Sequence, residues 1–425
     1  MGQSATTKGS CCESRHAGDL GLRVEEAREK IRAGVRRVEG VERLYVREAR
    51  GRVLAEDVTS PINVPGDDNS AMDGYALRGA DLPADGRRTF RVVGRTLAGE
   101  TFPDRVGEGE CVRIMTGAPV PAGADTVVMQ ENIVEEGEGA VSVGAGEEPG
   151  QHVRPAGGDI AAGEVVLPRG TRIGVPEVGV LGSLGRVEVA VYRRPKVAFF
   201  STGDELKGAG ETVGPGEIYD SNRYTLHAAL ERLGVDACDM GVVTDTPEAL
   251  TAAFRAAGSF ADAIITSGGV SVGEADHVKE VLAAEGDVGF WRVALRPGRP
   301  VAFGRVGEAV FFGLPGNPVS AACTYLQLVE PALRYMMGES DPRPPHLFEA
   351  RCLSHLSKGR GRTEYQRGIL GVGEDGRPEV RSTGHQGSGI LTSMVRADCF
   401  IVLEHDRGPV EPGESVSVQP FAGVF

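Results

Sequence analysis

The chain has no apolar run near the ~18 residues that a membrane-crossing helix needs, so its 425 residues are expected to contain no span. It also has no Cys-x-x-Cys and no His-Glu-x-x-His. Its cysteines, Cys11, Cys12, Cys111, Cys238, Cys323, Cys352 and Cys399, are odd in number and irregular in spacing. That argues against a disulfide framework or structural zinc and for a reducing compartment, the cytoplasm. A basic excess is missing too. The net charge is −14, whereas a nucleic-acid binder normally shows a basic face, so neither nucleic acid nor a membrane is expected as a partner. Residues 1–20 lack the apolar core of a secretory signal and read as a flexible tail. Met1-Gly2 with Ser4 and Thr6 partly echoes a myristoylation signal, but the tail has no second anchoring feature.

What is present is globular: 40% hydrophobic and 25% charged residues. One core rarely grows past roughly 250–300 residues, so several domains are expected. The chain is organised around Ala263–Lys279, AIITSGGVSVGEADHVK. Its apolar start predicts a strand buried on both faces, Gly268-Gly269 a turn, and Glu274 onward a helix. Strand, glycine turn and helix is the geometry at the carboxyl edge of a parallel sheet, where ligands bind. The competing reading is ordinary turn chemistry with acidic helix caps. Phe199–Leu206 (FFSTGDEL) and Gly313–Ser320 (GLPGNPVS) repeat the pattern. His277, the histidine nearest the central motif, reads as a simple helix residue.

Organisation follows from the patterns in order. Val24, Ala27, Ile31 and Val35 share one helical face, Val46–Arg50 predicts a short helix, and Val53–Val58 predicts a strand. Residues 63–158, rich in short strands and glycine turns, read as a small β domain inserted into a discontinuous domain of residues 21–62 and 159–193. Residues 194–340 alternate strand and helix, which predicts a parallel sheet with helices on both faces, with a hairpin of Val301–Arg305 and Ala309–Phe312 joined by Gly307 and a long closing helix over Val319–Met337. Residues 341–425 begin at a stiff proline-rich linker and read as all β, a barrel or sandwich. The fold class is thus multidomain α/β plus β, with a central three-layer αβα domain, an inserted small β domain and a C-terminal β-barrel-like domain.

Three strand ends offer carboxylates: Glu205 with Asp204, Asp245, and Asp276. In a parallel sheet all lie at one edge, and clustered carboxylates call for a cation such as Mg²⁺ beside phosphate. Asp245, just before Thr246-Pro247, is equally a good helix start. The loop Gly313–Pro318 leads into a helix N-terminus suited to an anion, with Pro318 and Ser320 expected to shape and cap it. Arg292–Arg299, RVALRPGR, is the best local basic pocket in an acidic chain.

Several longer segments carry a resemblance. Asn69–Ala76 (NSAMDGYA), Arg113–Pro119 (RIMTGAP), Tyr365–Gly368 (YQRG) and Gly384–Ser388 (GHQGS), with the three strand-end segments, resemble the molybdopterin molybdenumtransferase family, the MoeA type, also found as the gephyrin E domain. The resemblance runs from about Leu22 to Phe425. It implies that residues 194–340 bind molybdopterin and that molybdate is inserted into adenylyl-molybdopterin with release of AMP. It implies catalytic roles for Asp73, Thr116, Glu205, Asp245 and Asp276, with Mg²⁺ at the last three. It implies substrate contacts at Ser267, Gly268, Gly269, Ser271, Arg292, Arg296, Pro315, Pro318, Ser320, Arg154, Asp159, Arg367 and Ser388. Relatives often carry lysine at the two positions filled here by Arg292 and Arg296, and arginine changes the hydrogen-bond geometry. A homodimer is also implied, its cleft shared between subunits, with hand-over to a molybdopterin adenylyltransferase and molybdoenzymes. The alternatives are a molybdopterin adenylyltransferase-like enzyme, which usually lacks the extra domains, and a non-catalytic gephyrin-like scaffold.

Overall fold

The computed structural model describes residues 21–137, 139–269, 277–340, 342 and 345–421. The chain divides into two compact units. One comprises residues 43–50 and 56–189, and the other holds the rest.

The first unit is built on a six-stranded sheet. Its strands are β1 (Gly74–Leu77), β2 (Arg87–Thr96), β3 (Glu110–Ile114), β4 (Thr126–Met129), β5 (Ile133–Glu135) and β6 (Ala140–Gly144), in the order β4-β1-β3-β2-β6-β5. All neighbours are antiparallel except β2 and β3. Tyr75, Leu77, Phe90, Val128 and Val143 form its core. Outside the sheet, Val58–Thr59 pairs with Val165–Leu167. The expected strand Val53–Val58 forms in two pieces: Val53 and Ala55 bond to Tyr192 and Ala190 around the Leu54 bridge, and a separate ladder begins at Val58.

In the second unit, helix α1 (Val24–Gly34) buries Val24, Ala27 and Ile31. That is the face the spacing predicts. The central sheet has β7 (Lys196–Thr202), β8 (Asp236–Val243), β9 (Ala263–Ser267), β10 (Gly286–Arg292), β12 (Pro300–Val306) and β13 (Ala309–Leu314) in the order β8-β7-β9-β13-β12-β10. β8, β7, β9 and β13 are parallel, but β12 runs against both neighbours. The hairpin expected at Gly307 forms, and it makes the otherwise parallel sheet a mixed one. A tight hairpin at Gly307 joins β12 to β13, and a short hairpin can only return antiparallel.

Val197, Phe199 and Ile265 point to one face, against Leu226 and Leu230 of helix α2 (Ser221–Leu233). Ala198, Phe200, Ile264 and Phe311 point to the other, against helices α3 (Pro247–Gly258) and α4 (His277–Glu285). Successive side chains of a strand alternate faces, so both layers need apolar residues and the strands read as unbroken apolar runs. The long helix begins as α5 (Pro318–Thr324), passes through a π turn at Tyr325–Val329 and resumes at Glu330–Met336. At the π turn the Gln327 carbonyl accepts from Arg28 Nε at 2.8 Å.

The C-terminal strands are β14 (Phe348–Cys352), β15 (Thr363–Val372), β16 (Pro378–Ser382), β17 (Cys399–Leu403) and β18 (Ser415–Pro420). They close as a five-stranded barrel, because β15 pairs with both β16 and β17. A short strand missing from the sequence reading, β11 (Leu295–Arg296), runs parallel to the start of β15. Phe254 of α3 is buried and meets Phe200 and Phe311 edge-on at 5.4 and 5.6 Å. Phe254→Ala should lower unfolding stability by about 3–5 kcal/mol. Denaturant unfolding measures this, and a loss below about 1 kcal/mol would contradict the packing.

Candidate functional site

Strand ends gather polar residues at the carboxyl edge of the central sheet. Ser201, Thr202, Thr266 and Ser267 are buried there. The Ser201, Thr202 and Thr266 hydroxyls have no hydrogen-bond partner among the described residues. Buried polar groups are rarely left unpaired, so these orphans mark a place where something else binds. Asn222, in the first turn of α2, reaches across. Its Nδ2 donates to Ser267 Oγ and to the Gly316 carbonyl, both at 2.7 Å, while its own Oδ1 is buried and unpartnered. Gly268 and Gly269 have φ of +94° and +66°. A Cβ at Gly268 would lie 2.5 Å from the Thr202 carbonyl oxygen, and one at Gly269 would lie 2.3 Å from Val278 Cγ2. Only glycine fits either position.

The carboxylates lie beside this turn. The Asp245 N–H donates to Asp204 Oδ1 at 3.2 Å. Burial pushes the Asp245 carboxyl up, Asp204 and Glu205 push it further, and His277 opposes them. Asp245 Oδ1 is buried without a partner. A crowded carboxylate with an orphaned oxygen fits a cation. No three metal-ligating side chains are preassembled among the described residues. Asp276 and Ser271 lie outside them. The helix-start reading of Asp245 falls instead to Thr246, whose Oγ1 accepts from Ala249 N–H.

Pro315 and Gly316 lead into α5, with Pro318 in its first turn. The N-cap is Asn317 rather than Ser320, which is buried one turn in. The Val319 N–H is taken by the Ser388 carbonyl at 3.0 Å, so that helix end is partly spent on the barrel. Arg292 closes β10, and its carbonyl accepts from Leu22 N–H. Arg296 Nη1 donates to Glu364 Oε1 at 3.1 Å. Arg367 is 1% exposed. Its Nε donates to Ser393 Oγ and its Nη2 to the Gly387 carbonyl, both at 2.9 Å. No carboxylate among the described residues pairs with it, and burial draws its pKa down. A cavity of about 250 Å³ brings Arg296, Glu364, Gln366, Arg367, Ser382 and Gln386 together.

The other expected residues stand in the first unit. Asp73 Oδ1 accepts from the Thr116 N–H at 2.7 Å and from Thr116 Oγ1 at 2.8 Å. These two bonds, the backbone one foremost, hold the Asp73 carboxyl below the usual carboxylate range, with help from the Arg113 charge. The neighbouring stretch Asn69–Ser70 pairs with Val153–Arg154, so Arg154 joins this group. Asp159 is exposed, its N–H bonded to the Val64 carbonyl.

Sequence reasoning missed Asn222, Glu364 and Gln386. Glu364 directly precedes the Tyr365–Gly368 segment, and Asn222 is a poor helix former in a helix's first turn. Both were faint signals.

Unpartnered polar groups at a sheet edge, crowded carboxylates and an arginine-lined cavity make up the candidate site of this multidomain α/β chain. Three family models match the chain: MoeA N-terminal region (domain I and II) over residues 22–185, a probable molybdopterin binding domain over 198–335, and MoeA C-terminal region (domain IV) over 349–421. Among curated relatives, the molybdopterin molybdenumtransferase of Haemophilus influenzae is 44% identical over 401 residues, 94% of this chain and 98% of that protein. The gephyrin of Dictyostelium discoideum is 33% identical, over 88% of this chain and 59% of its own. A crystal structure of a molybdopterin biosynthesis moeA protein from Pyrococcus horikoshii OT3 superposes with a TM-score of 0.80 at 28% identity, over 94% of this chain and 99% of that one. The chain belongs to the molybdopterin molybdenumtransferase family.

Thr116→Val removes the hydroxyl donor to Asp73 but keeps the backbone one. The depressed Asp73 pKa should therefore move part of the way back up. An NMR pH titration of the Asp73 carboxyl reads this, and an unmoved pKa would overturn the assignment.

Proposed function

We propose that this protein inserts molybdenum from molybdate into adenylyl-molybdopterin and releases AMP. The observation that carries the reading is the strand-end edge, where the unpartnered Thr202, Thr266, Asn222 and Asp245 atoms surround a turn that only glycine can make. Relatives named for molybdenum transfer to molybdopterin support it.

In this reading Ser267, Gly268, Gly269 and Ser271 seat the pyrophosphate end of the substrate, whose phosphates need close backbone approach. Glu205, Asp245 and Asp276 would hold Mg²⁺, which supplies positive charge to a pyrophosphate during cleavage. Asp245 is then needed ionised, against the burial that disfavours its charge. Asp73, kept ionised by Thr116, is the acidic residue this reading assigns to the first unit. Pro315, Pro318 and Ser320 shape the loop between the pyrophosphate and the oxyanion. Arg292, Arg296, Arg367 and Ser388 receive molybdate, a tetrahedral dianion that suits fixed guanidinium donors. Arg367 is the strongest member, since a buried cation without a carboxylate favours an incoming anion. Arg154 and Asp159 line the approach. Because the dithiolene belongs to the substrate, no protein cysteine is required. A reactive dithiolene calls for a reducing cytoplasm, and product passes to a molybdoenzyme, with a molybdopterin adenylyltransferase supplying the substrate. The division at 21–62 with 159–193, 63–158, 194–340 and 341–425 belongs to the same reading.

We also propose a homodimer. Val175 and Val187 are 71% and 69% exposed, and the helix Val175–Ser183 buries only Leu181. Tyr45 is exposed beside Val187, whose carbonyl accepts from Val46 N–H. These exposed apolar groups support an interface at this place.

Incubation with adenylyl-molybdopterin, Mg²⁺ and molybdate should release AMP in proportion to molybdate, and Arg296→Ala should raise the molybdate needed without weakening pterin binding. Absence of molybdate-dependent AMP would refute the reaction. Val175→Asp combined with Val187→Asp should convert dimer to monomer in sedimentation velocity, and an unchanged sedimentation coefficient would place the interface elsewhere.

A further inference from the structure

Arg296 and Glu364 stand directly opposite each other where β11 runs parallel to β15. Their side chains differ sharply in exposure, 53% for Arg296 and 3% for Glu364. An exposed ion pair adds little stability, and burying a carboxylate is costly unless both of its oxygens are satisfied. Here they are. Glu364 Oε1 accepts from Arg296 at 3.1 Å, and Oε2 accepts from Gln366 Nε2 at 3.1 Å. Gln366 Nε2 in turn donates to the Ser357 carbonyl at 3.0 Å. The neighbouring buried Lys358 lends its charge to Glu364 but makes its hydrogen bonds elsewhere, donating to the Gly359 and Arg362 carbonyls at 2.8 and 2.6 Å. The carboxylate is thus anchored from behind and turned toward one partner, Arg296. Both line the cavity that also holds Arg367.

We infer that Glu364 is a positioning residue for the oxyanion site: it holds the Arg296 guanidinium in one orientation and presents its other N–H donors to the cavity. A half-exposed arginine left free must give up its rotamer freedom each time an anion binds. Glu364 removes that cost in advance, as residues behind a binding group commonly do. The charge effect has the opposite sign, because a nearby carboxylate by itself repels an anion. Loss of Glu364 therefore separates the two roles: weaker anion binding reports orientation, and tighter binding reports charge alone.

This inference rests on the proposed molybdate site. The test is isothermal titration calorimetry of molybdate into the full-length protein. Glu364→Ala should weaken binding ~10-fold, in the range found for residues that orient ligand-binding groups. Glu364→Gln, which keeps an acceptor oxygen for Arg296, should recover most of that loss. Arg296→Ala should weaken binding at least as much, and adding Glu364→Ala to it should weaken binding no further, since the positioning role runs through Arg296. If Arg296→Ala leaves molybdate binding untouched, the oxyanion reading itself fails. If Arg296→Ala weakens binding but the Glu364 variants bind equally or more tightly, or if the losses add in the double variant, the positioning role fails and the site stands. Should Glu364→Ala not fold, Glu364→Leu, which fills the same volume without an acceptor, carries the same comparison alone and with Arg296→Ala.

Discussion

Ala198, Phe200 and Ile264 pack toward Phe254 and Leu282, while Val197, Phe199 and Ile265 pack toward Leu230 and the α2 layer. A sheet covered on both faces has no room for polar side chains along its strands, because each would need a partner in the core. Polar groups are pushed to the strand ends. There Ser201, Thr202, Thr266 and Ser267 follow directly on the apolar runs, and the chain turns through Gly268 and Gly269. The whole candidate edge depends on this constraint. The apolar layers hold the strands in register, and register decides which hydroxyls and carboxylates become neighbours.

A second constraint comes from the barrel. Its strand β15 carries Glu364, Tyr365, Gln366 and Arg367 in succession, all buried. Tyr365 lies in the core shared with α1 and the long helix, whereas Glu364 and Gln366 bond to each other from the opposite side of the strand. Arg367 stays buried at the cost of its usual hydration and is held by Ser393 and Gly387. Such a group costs stability for any fold, and an anion in the proposed molybdate site would supply the counter-charge it lacks. Ser388 ties the same loop to the start of α5. The helix end is thus braced by the barrel, and the positive groups near it come from β11 and β15 as much as from the helix.

Much of this was legible before any coordinates. Val24, Ala27 and Ile31 fall on one helical face because the 3.6-residue period alone dictates it. Pro378–Ser382 and Cys399–Leu403 read as strands from β-branched and apolar runs between turn residues. Asp73 and Thr116 were named from motifs far apart in the chain, and they share two hydrogen bonds. Less legible was β11, two residues long, which exists only because β15 lies beside it. The reversal of β12 was readable from two apolar runs joined at Gly307, whereas its pairing with β10 on the other side was not. Val53–Val58 had strand-like composition but changes partner midway, from Ala190–Tyr192 to Leu167, so it forms no single ladder.

The sequence by itself determined the elements and the chemistry available: apolar runs of strand length, the glycines of the central turn, the carboxylates after the strands and the arginines of Arg292–Arg299. Those properties are local, set by side-chain type and by periods of two and 3.6 residues. Only the tertiary structure decided which of these groups meet. It set Asn222 against Ser267 and Gly316, pressed Asp245 toward Asp204 and Glu205, and placed Glu364 opposite Arg296. Pairings across 45, 94 or 68 residues depend on strand order and register. Those are fixed by how the apolar layers close on one another rather than by any short stretch of chain.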